Sequence, residues 1–163
     1  MPDANEEIVR RYLELEGYFV RSRIRYKYTI PGRGAGWSDI DLCGITSDGR
    51  AIAVEVKGWH TEKVTASYIK DWPALFYFAV RPEATHALTK VLGTDDYRKV
   101  LVIGELGPAG GQAFHDHATS LGVEVLPFPT ILERLVARTE LGPDAATDGE
   151  HMIRLLKRYG FLA

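Results

Sequence analysis

Asp41, Glu55 and Lys57 are the residues of this 163-residue chain whose types and spacing point most directly to chemistry. Carboxylates that converge from neighbouring strands repel each other, and such repulsion is tolerated where a hard cation such as Mg²⁺ sits between them. Glu55-Val56-Lys57 ends a run of small and apolar residues, where charges are costly unless they have partners or a ligand. Taken singly, each charge has a plainer role. An acid on the open face of a strand is usually solvated, and a Glu and Lys two apart can form a surface ion pair of little energetic value.

The elements that must position these groups are two strands and a tight turn. Residues 37–46 and 51–58 alternate apolar with other residues, with Ile40 and Leu42 on the first run and Ile52, Val54 and Val56 on the second. A period of two predicts strands with one buried face. Asp48-Gly49 between them is a hairpin turn signal, because the turn needs positive φ. The other face then carries Asp39 and Asp41, and across from them Ala51, Ala53, Glu55 and Lys57. Asp41 is expected deeper in the strand than Asp39, which stands nearer a glycine-rich run.

Two elements precede this hairpin. A helix is expected from about Ala4 to Glu16, ended by Gly17, with Ile8, Val9, Tyr12 and Leu13 as its apolar face. Glu6 lies at the flank of that face and can look toward the hairpin. Asp3-x-x-Glu6 also resembles a capping box, in which Glu6 would only tie up a backbone amide. A strand is expected from Tyr18 to about Tyr28, with Val20, Ser22, Ile24, Tyr26 and Tyr28 on one face. Arg21, Arg23, Arg25 and Lys27 fall on the other face, a row suited either to edge protection or to phosphate contact. Residues 30–36 follow as a flexible glycine-rich loop that brings Arg33 within reach of a backbone phosphate.

Beyond the hairpin, Trp59 continues the face of Glu55 and Lys57, and His60 is a candidate proton carrier. Residues 65–80 read as helical with a break at Pro73, and Pro82 opens a helix to about Leu92. Buried strands are expected near 99–104 and 123–126, with helices near 112–121 and 129–137. The glycine-rich run 107–111 lacks the spacing of a phosphate-binding loop. A final helix carries Met152, Leu155, Leu156 and Tyr159 as a stripe that either packs on the domain or forms a homodimer interface. The length suits one domain, 1–163, and a formal net charge of −2 argues against a uniformly basic coat while allowing a local basic face. One cysteine, Cys43, excludes an internal disulfide framework. A polar N-terminus and the lack of a long apolar run predict a cytoplasmic protein with no membrane segment.

Asp41 followed by Glu55-x-Lys57 on a hairpin resembles the signature of the PD-(D/E)xK nuclease superfamily. The family's proline before the first acid is absent, with Ile40 before Asp41. Glu6 followed by Gly17-Tyr18-Phe19-Val20-Arg21 resembles the N-terminal pattern of its Holliday-junction-resolvase-like members. The resemblance implies an α/β fold with a restriction-endonuclease-like core of helix, three-strand meander, helix and strand over 1–105, and a C-terminal α/β extension over 106–163. It implies a metal-dependent nuclease acting on DNA, with RNA not separated from DNA. Asp41 and Glu55 would hold Mg²⁺ or Mn²⁺ with the Val56 carbonyl as a further ligand, Lys57 would position water or stabilise charge at phosphorus, and Glu6 would bind a second metal or orient a water. A catalytically inactive nucleic-acid-binding or partner-docking module of the same fold is the alternative.

Overall fold

The computed structural model describes residues 3–139 and 148–162, so most of the Gly/Pro/Asp-rich run after Thr139 lies outside the described residues. Helix α1 (Ala4–Leu15) comes first. Asp3 caps it by accepting the Asn5 amide at 3.0 Å, and Gly17 at φ 91° ends it. Strands β1 (Tyr18–Ile30), β2 (Gly34–Thr46) and β3 (Ala51–Val56) follow as an antiparallel meander. The β2–β3 turn closes through Thr46, whose hydroxyl accepts the Arg50 amide at 3.0 Å, with Gly49 at φ 88°.

After β3 the chain passes through α2 (Ser67–Asp71), a 3-10 turn (Pro73–Phe76), α3 (Tyr77–Val80) and α4 (Pro82–Leu92) before β4 (Arg98–Ile103). Pro73 stands at the break in this helical run, as its missing amide requires. Helix α5 (Gly111–Ser120), strand β5 (Val123–Pro127), α6 (Phe128–Arg138) and α7 (Asp148–Arg158) complete the order. The sheet runs β1-β2-β3-β4-β5, and β4 and β5 are parallel to β3. The two parallel links need crossovers, which the helices between β3 and β5 provide.

Two cores cover the two faces of the sheet. On one, Val9, Tyr12 and Leu13 of α1 and Phe128, Ile131 and Leu135 of α6 pack on Tyr18, Leu42, Val54 and Val102. On the other, Leu88 of α4 and Phe114 of α5 pack on Ile24, Ile40, Ala53 and Leu101. Among the described residues no helix is long and apolar enough to cross a membrane.

The expected loop at 30–36 is instead mostly strand. Gly34 to Gly36 pair with Ile30 to Tyr28, leaving a three-residue turn that holds the exposed Arg33. The reason for glycine there is steric: a Cβ at Gly36 would stand 2.7 Å from the Tyr28 ring. Strands β1 and β2 therefore run past the end of β3 as a two-stranded arm.

Candidate active site

The site lies where β2 parts from β3. Pairing between them runs from Ile45–Ala51 to Leu42–Val54 and stops. One step further, Asp41 comes opposite the end of β3 that carries Glu55. Asp41 Oδ2 accepts the Val56 amide at 2.7 Å, which ties the carboxylate to the strand end. The next amide, Lys57, donates to the Val102 carbonyl at 2.8 Å and anchors that end to β4. Lys57 Nζ lies 2.7 Å from Glu55 Oε1 and 3.9 Å from Asp41 Oδ2. Glu55 is only 7% exposed, and its Oε2 is buried without a hydrogen bond.

A reversal in the strand alternation creates this opening. Tyr18 and Leu42 face one core, whereas Ile24, Tyr26 and Ile40 face the other. The pairing of β1 with β2 passes from Ser22–Leu42 to Ile24–Ile40 and skips Arg23 and Asp41. Arg23 has φ 56°, a left-handed conformation that breaks a period of two. Two expectations are corrected by this. Ile40 and Leu42 do not share a face, so Asp39 and Asp41 are not equivalent, and Asp39 is exposed beside its cross-strand neighbour Arg25. The four bases do not form one row: Arg21 is on the side of Cys43, Arg25 and Lys27 project from the opposite side, and Arg23 sits at the reversal.

Glu6 enters from the first turn of α1. It takes no part in a capping box: its Oε2 is buried and accepts no hydrogen bond, and Arg23 Nε lies 4.0 Å away. The neighbouring Asn5 accepts from His60 Nε2 at 2.9 Å through Oδ1, and the His60 ring meets Phe128 edge-on at 4.8 Å. A Cβ on Gly58 would stand 2.0 Å from Asn5 Nδ2, and one on Gly104 would stand 1.8 Å from the Trp59 carbonyl oxygen. The loop after Lys57 is thereby clamped between α1 and the end of β4.

Charge in the cluster is shaped by burial and by proximity. Burial pushes the Glu55 carboxyl up to about 8, Asp41 adds to the rise, and Lys57 opposes it. Asp41 is raised by burial against the pull of Lys57 and the Val56 amide, and Glu6 is raised by burial and then by Asp41. Burial alone would lower Lys57, but Glu55 and Asp41 outweigh it and hold the ammonium above its ordinary range.

Glu6, Asp41, Glu55 and Lys57 are thus brought together, and the amide of Val56 joins them. Among the described residues no group of three or more His, Cys, Asp or Glu side chains stands at metal-ligand spacing. Mg²⁺ characteristically uses one or two carboxylates plus waters and substrate phosphates, not an all-protein cage. The unpartnered, buried Oε2 of Glu55 beside the Asp41 carboxylate fits such an ion. Arg25, Lys27 and Arg33 are exposed on the arm, and Arg21 is exposed before it, where β2 is still paired with β3. Sequence reasoning passed over Trp37, which is 63% exposed with the Arg25 guanidinium 5.6 Å from its ring centroid. Trp59 is half-buried, its ring tilted against those of Tyr68 at 4.7 Å and Trp72 at 5.7 Å.

No protein-family model matches the chain, and no curated protein matches it. Among solved structures, a repair endonuclease from Pyrococcus abyssi is similar over 72% of this chain and 41% of its own, with 19% identity and a TM-score of 0.36. The EndoMS–dsDNA complex is similar over 76% and 43%, with 17% identity and a TM-score of 0.37. A protein of unknown function is similar over 95% and 65%, with 15% identity and a TM-score of 0.44. The chain spans 41% to 65% of the length of these proteins. The fold rests on the chain's own elements. A helix, a three-strand meander whose hairpin carries Asp41 and Glu55-x-Lys57, a helical link and a parallel strand make an α/β core in the element order that the restriction-endonuclease-like resemblance implies, followed by further α/β elements.

Proposed function

We propose that this chain is a metal-dependent nuclease that hydrolyses DNA phosphodiesters. The observation that carries the reading is the buried Glu55, with one oxygen unpartnered and the other paired to Lys57, which also reaches Asp41, at the open end of β3. Asp41 and Glu55 would hold Mg²⁺ or Mn²⁺, with the Val56 carbonyl as a further ligand. When bound, the ion supplies charge neutralisation at the phosphate and lowers the pKa of a coordinated water.

The chain's own residues do the rest. Glu55 must lose its proton to serve as a ligand, and Lys57, its ion-pair partner, remains a cation that can stabilise charge developing at phosphorus. Asp41 keeps its orientation through the Val56 amide. Glu6, whose buried Oε2 accepts no hydrogen bond, would orient a water or help hold a second ion. Arg25, Lys27 and Arg33, exposed on the arm, would meet backbone phosphates, and Arg21 would meet them from the other face of the sheet. A cytoplasmic setting, a single domain and a homodimer through α7 belong to the same reading as further expectations.

A second reading, a nucleic-acid-binding module without catalysis, is favoured by one observation: the closed Lys57–Glu55 ion pair at 2.7 Å. Calorimetric titration with Mn²⁺ separates the two. The nuclease reading predicts stoichiometric binding at pH 8 that Glu55→Gln abolishes. Heat indistinguishable from dilution in the parent protein would favour the binding module.

A further inference from the structure

A groove of about 550 Å³ runs between the β1–β2 arm and α4. Arg25, Lys27, Trp37, His86 and Lys90 line it, and Glu83 is its acidic member. Three permanent cations outnumber its lining carboxylate Glu83 and the exposed Asp39 across from Arg25, which leaves it a positive field. Among the described residues no carboxylate lies within ion-pair distance of Arg25, Lys27 or Lys90. The aromatic wall is the exposed Trp37 indole, held beside the Arg25 guanidinium by a cation–π contact.

This pairing of chemistries selects a ligand. Cations at the rim suit phosphates, and a free indole face suits a planar base. In continuous duplex the base faces are covered by their neighbours, so only an unpaired base presents a surface on which indole can stack. The groove is also close to the carboxylates. Trp37 stands four residues from Asp41 along β2, about 13 Å at the rise of an extended strand.

We propose that this groove binds an unpaired nucleotide of the substrate strand, so that the chain acts on DNA with a single-stranded or branched portion in preference to continuous duplex. This rests on the nuclease reading above and names its substrate class. Trp37 acts as the stacking platform, Arg25 orders the indole, and Lys27 and Lys90 hold the flanking phosphates.

The test is fluorescence anisotropy in EDTA, which stops cleavage, with three labelled DNA probes: a continuous duplex, the same duplex with a single-stranded tail, and the tail strand alone. Trp37→Ala should weaken binding of the tailed and single-stranded probes on the order of tenfold, the value of one base–aromatic stack, and leave the duplex unchanged. Trp37→Phe should restore most of that loss. Equal weakening for all three probes, or none for the tailed one, would overturn the proposal. So would a parent dimer that dissociates in Trp37→Ala, since a second copy would then be the occupant. A parent that cleaves DNA with Mg²⁺ while Trp37→Ala binds the tailed probe normally overturns the groove alone. A parent that binds no probe and cleaves none overturns the groove and the nuclease reading together.

Discussion

Glu55 concentrates the tension in the site. Its folded pKa of about 8 lies above the ordinary 4.5, so in the metal-free protein its contribution to stability is fully present below about pH 4.5 and is lost as pH rises through 8. Asp41 and Glu6, also raised, add in the same direction. Melting in EDTA between pH 5 and pH 8.5 should therefore show a falling Tm for the parent and a flatter profile for Glu55→Gln. Parallel profiles would remove the buried-charge account. Asp41 has two roles that two substitutions can divide. Asp41→Asn keeps an acceptor for the Val56 amide and should fold normally while losing metal-dependent cleavage. Asp41→Ala strands that amide and should cost a further 1–3 kcal/mol or so in denaturant unfolding.

At the scale of elements, the reversal at Arg23 and the clamp on the loop after Lys57 decide where the charges meet. Strand propensity would rank valine well at position 23, but a β-branched side chain at φ 56° is strained. Arg23→Val should unfold more readily than Arg23→Gly by roughly 1–3 kcal/mol, measured by urea titration. Equal stabilities would mean that the left-handed residue is not held by the fold. Gly104→Ala should be more damaging, because its Cβ meets backbone at Trp59 and something must shift. Much of this scale was legible in the sequence. Period-two patterning and Asp48-Gly49 placed the hairpin, Pro73 and Pro82 placed the helix breaks, and Gly17 ended the first helix. The spacing of Asp41 to Glu55-x-Lys57 brought the cluster into view. The reversal was not legible, because it rests on one arginine in a conformation that no side-chain pattern announces. Nor was the pairing of Gly34 to Gly36, where glycine serves the close approach of Tyr28 and reads locally as a loop.

At the scale of the molecule, the reversal divides the basic residues of β1 between the two faces of the sheet, and a rigid duplex cannot press on both. Arg25 and Lys27 line the groove, so replacing both by Ala should lower the slope of log K against log salt by roughly 1.4–1.8, at 0.7–0.9 for each lost phosphate contact. Arg21→Ala should leave that slope within error. A loss from Arg21→Ala as large as from Arg25→Ala would show that nucleic acid wraps the arm. The exposed stripe of α7, with Met152 and Leu155 facing outward and Tyr159 just past its end, leaves room for association, which sedimentation as a function of concentration would detect.

Metal-dependent hydrolysis at the Asp41–Glu55–Lys57 cluster is the activity on which the proposed function depends. Its most direct test is one cleavage panel of duplex, single-stranded, branched and RNA substrates, each with Mg²⁺ or with EDTA, for the parent and for Glu55→Gln. The parent should cleave DNA with Mg²⁺ and not in EDTA, and the folded variant should cleave under neither condition. Cleavage that persists in EDTA or in Glu55→Gln, or a folded parent that binds DNA and cuts no substrate with Mg²⁺, would contradict it.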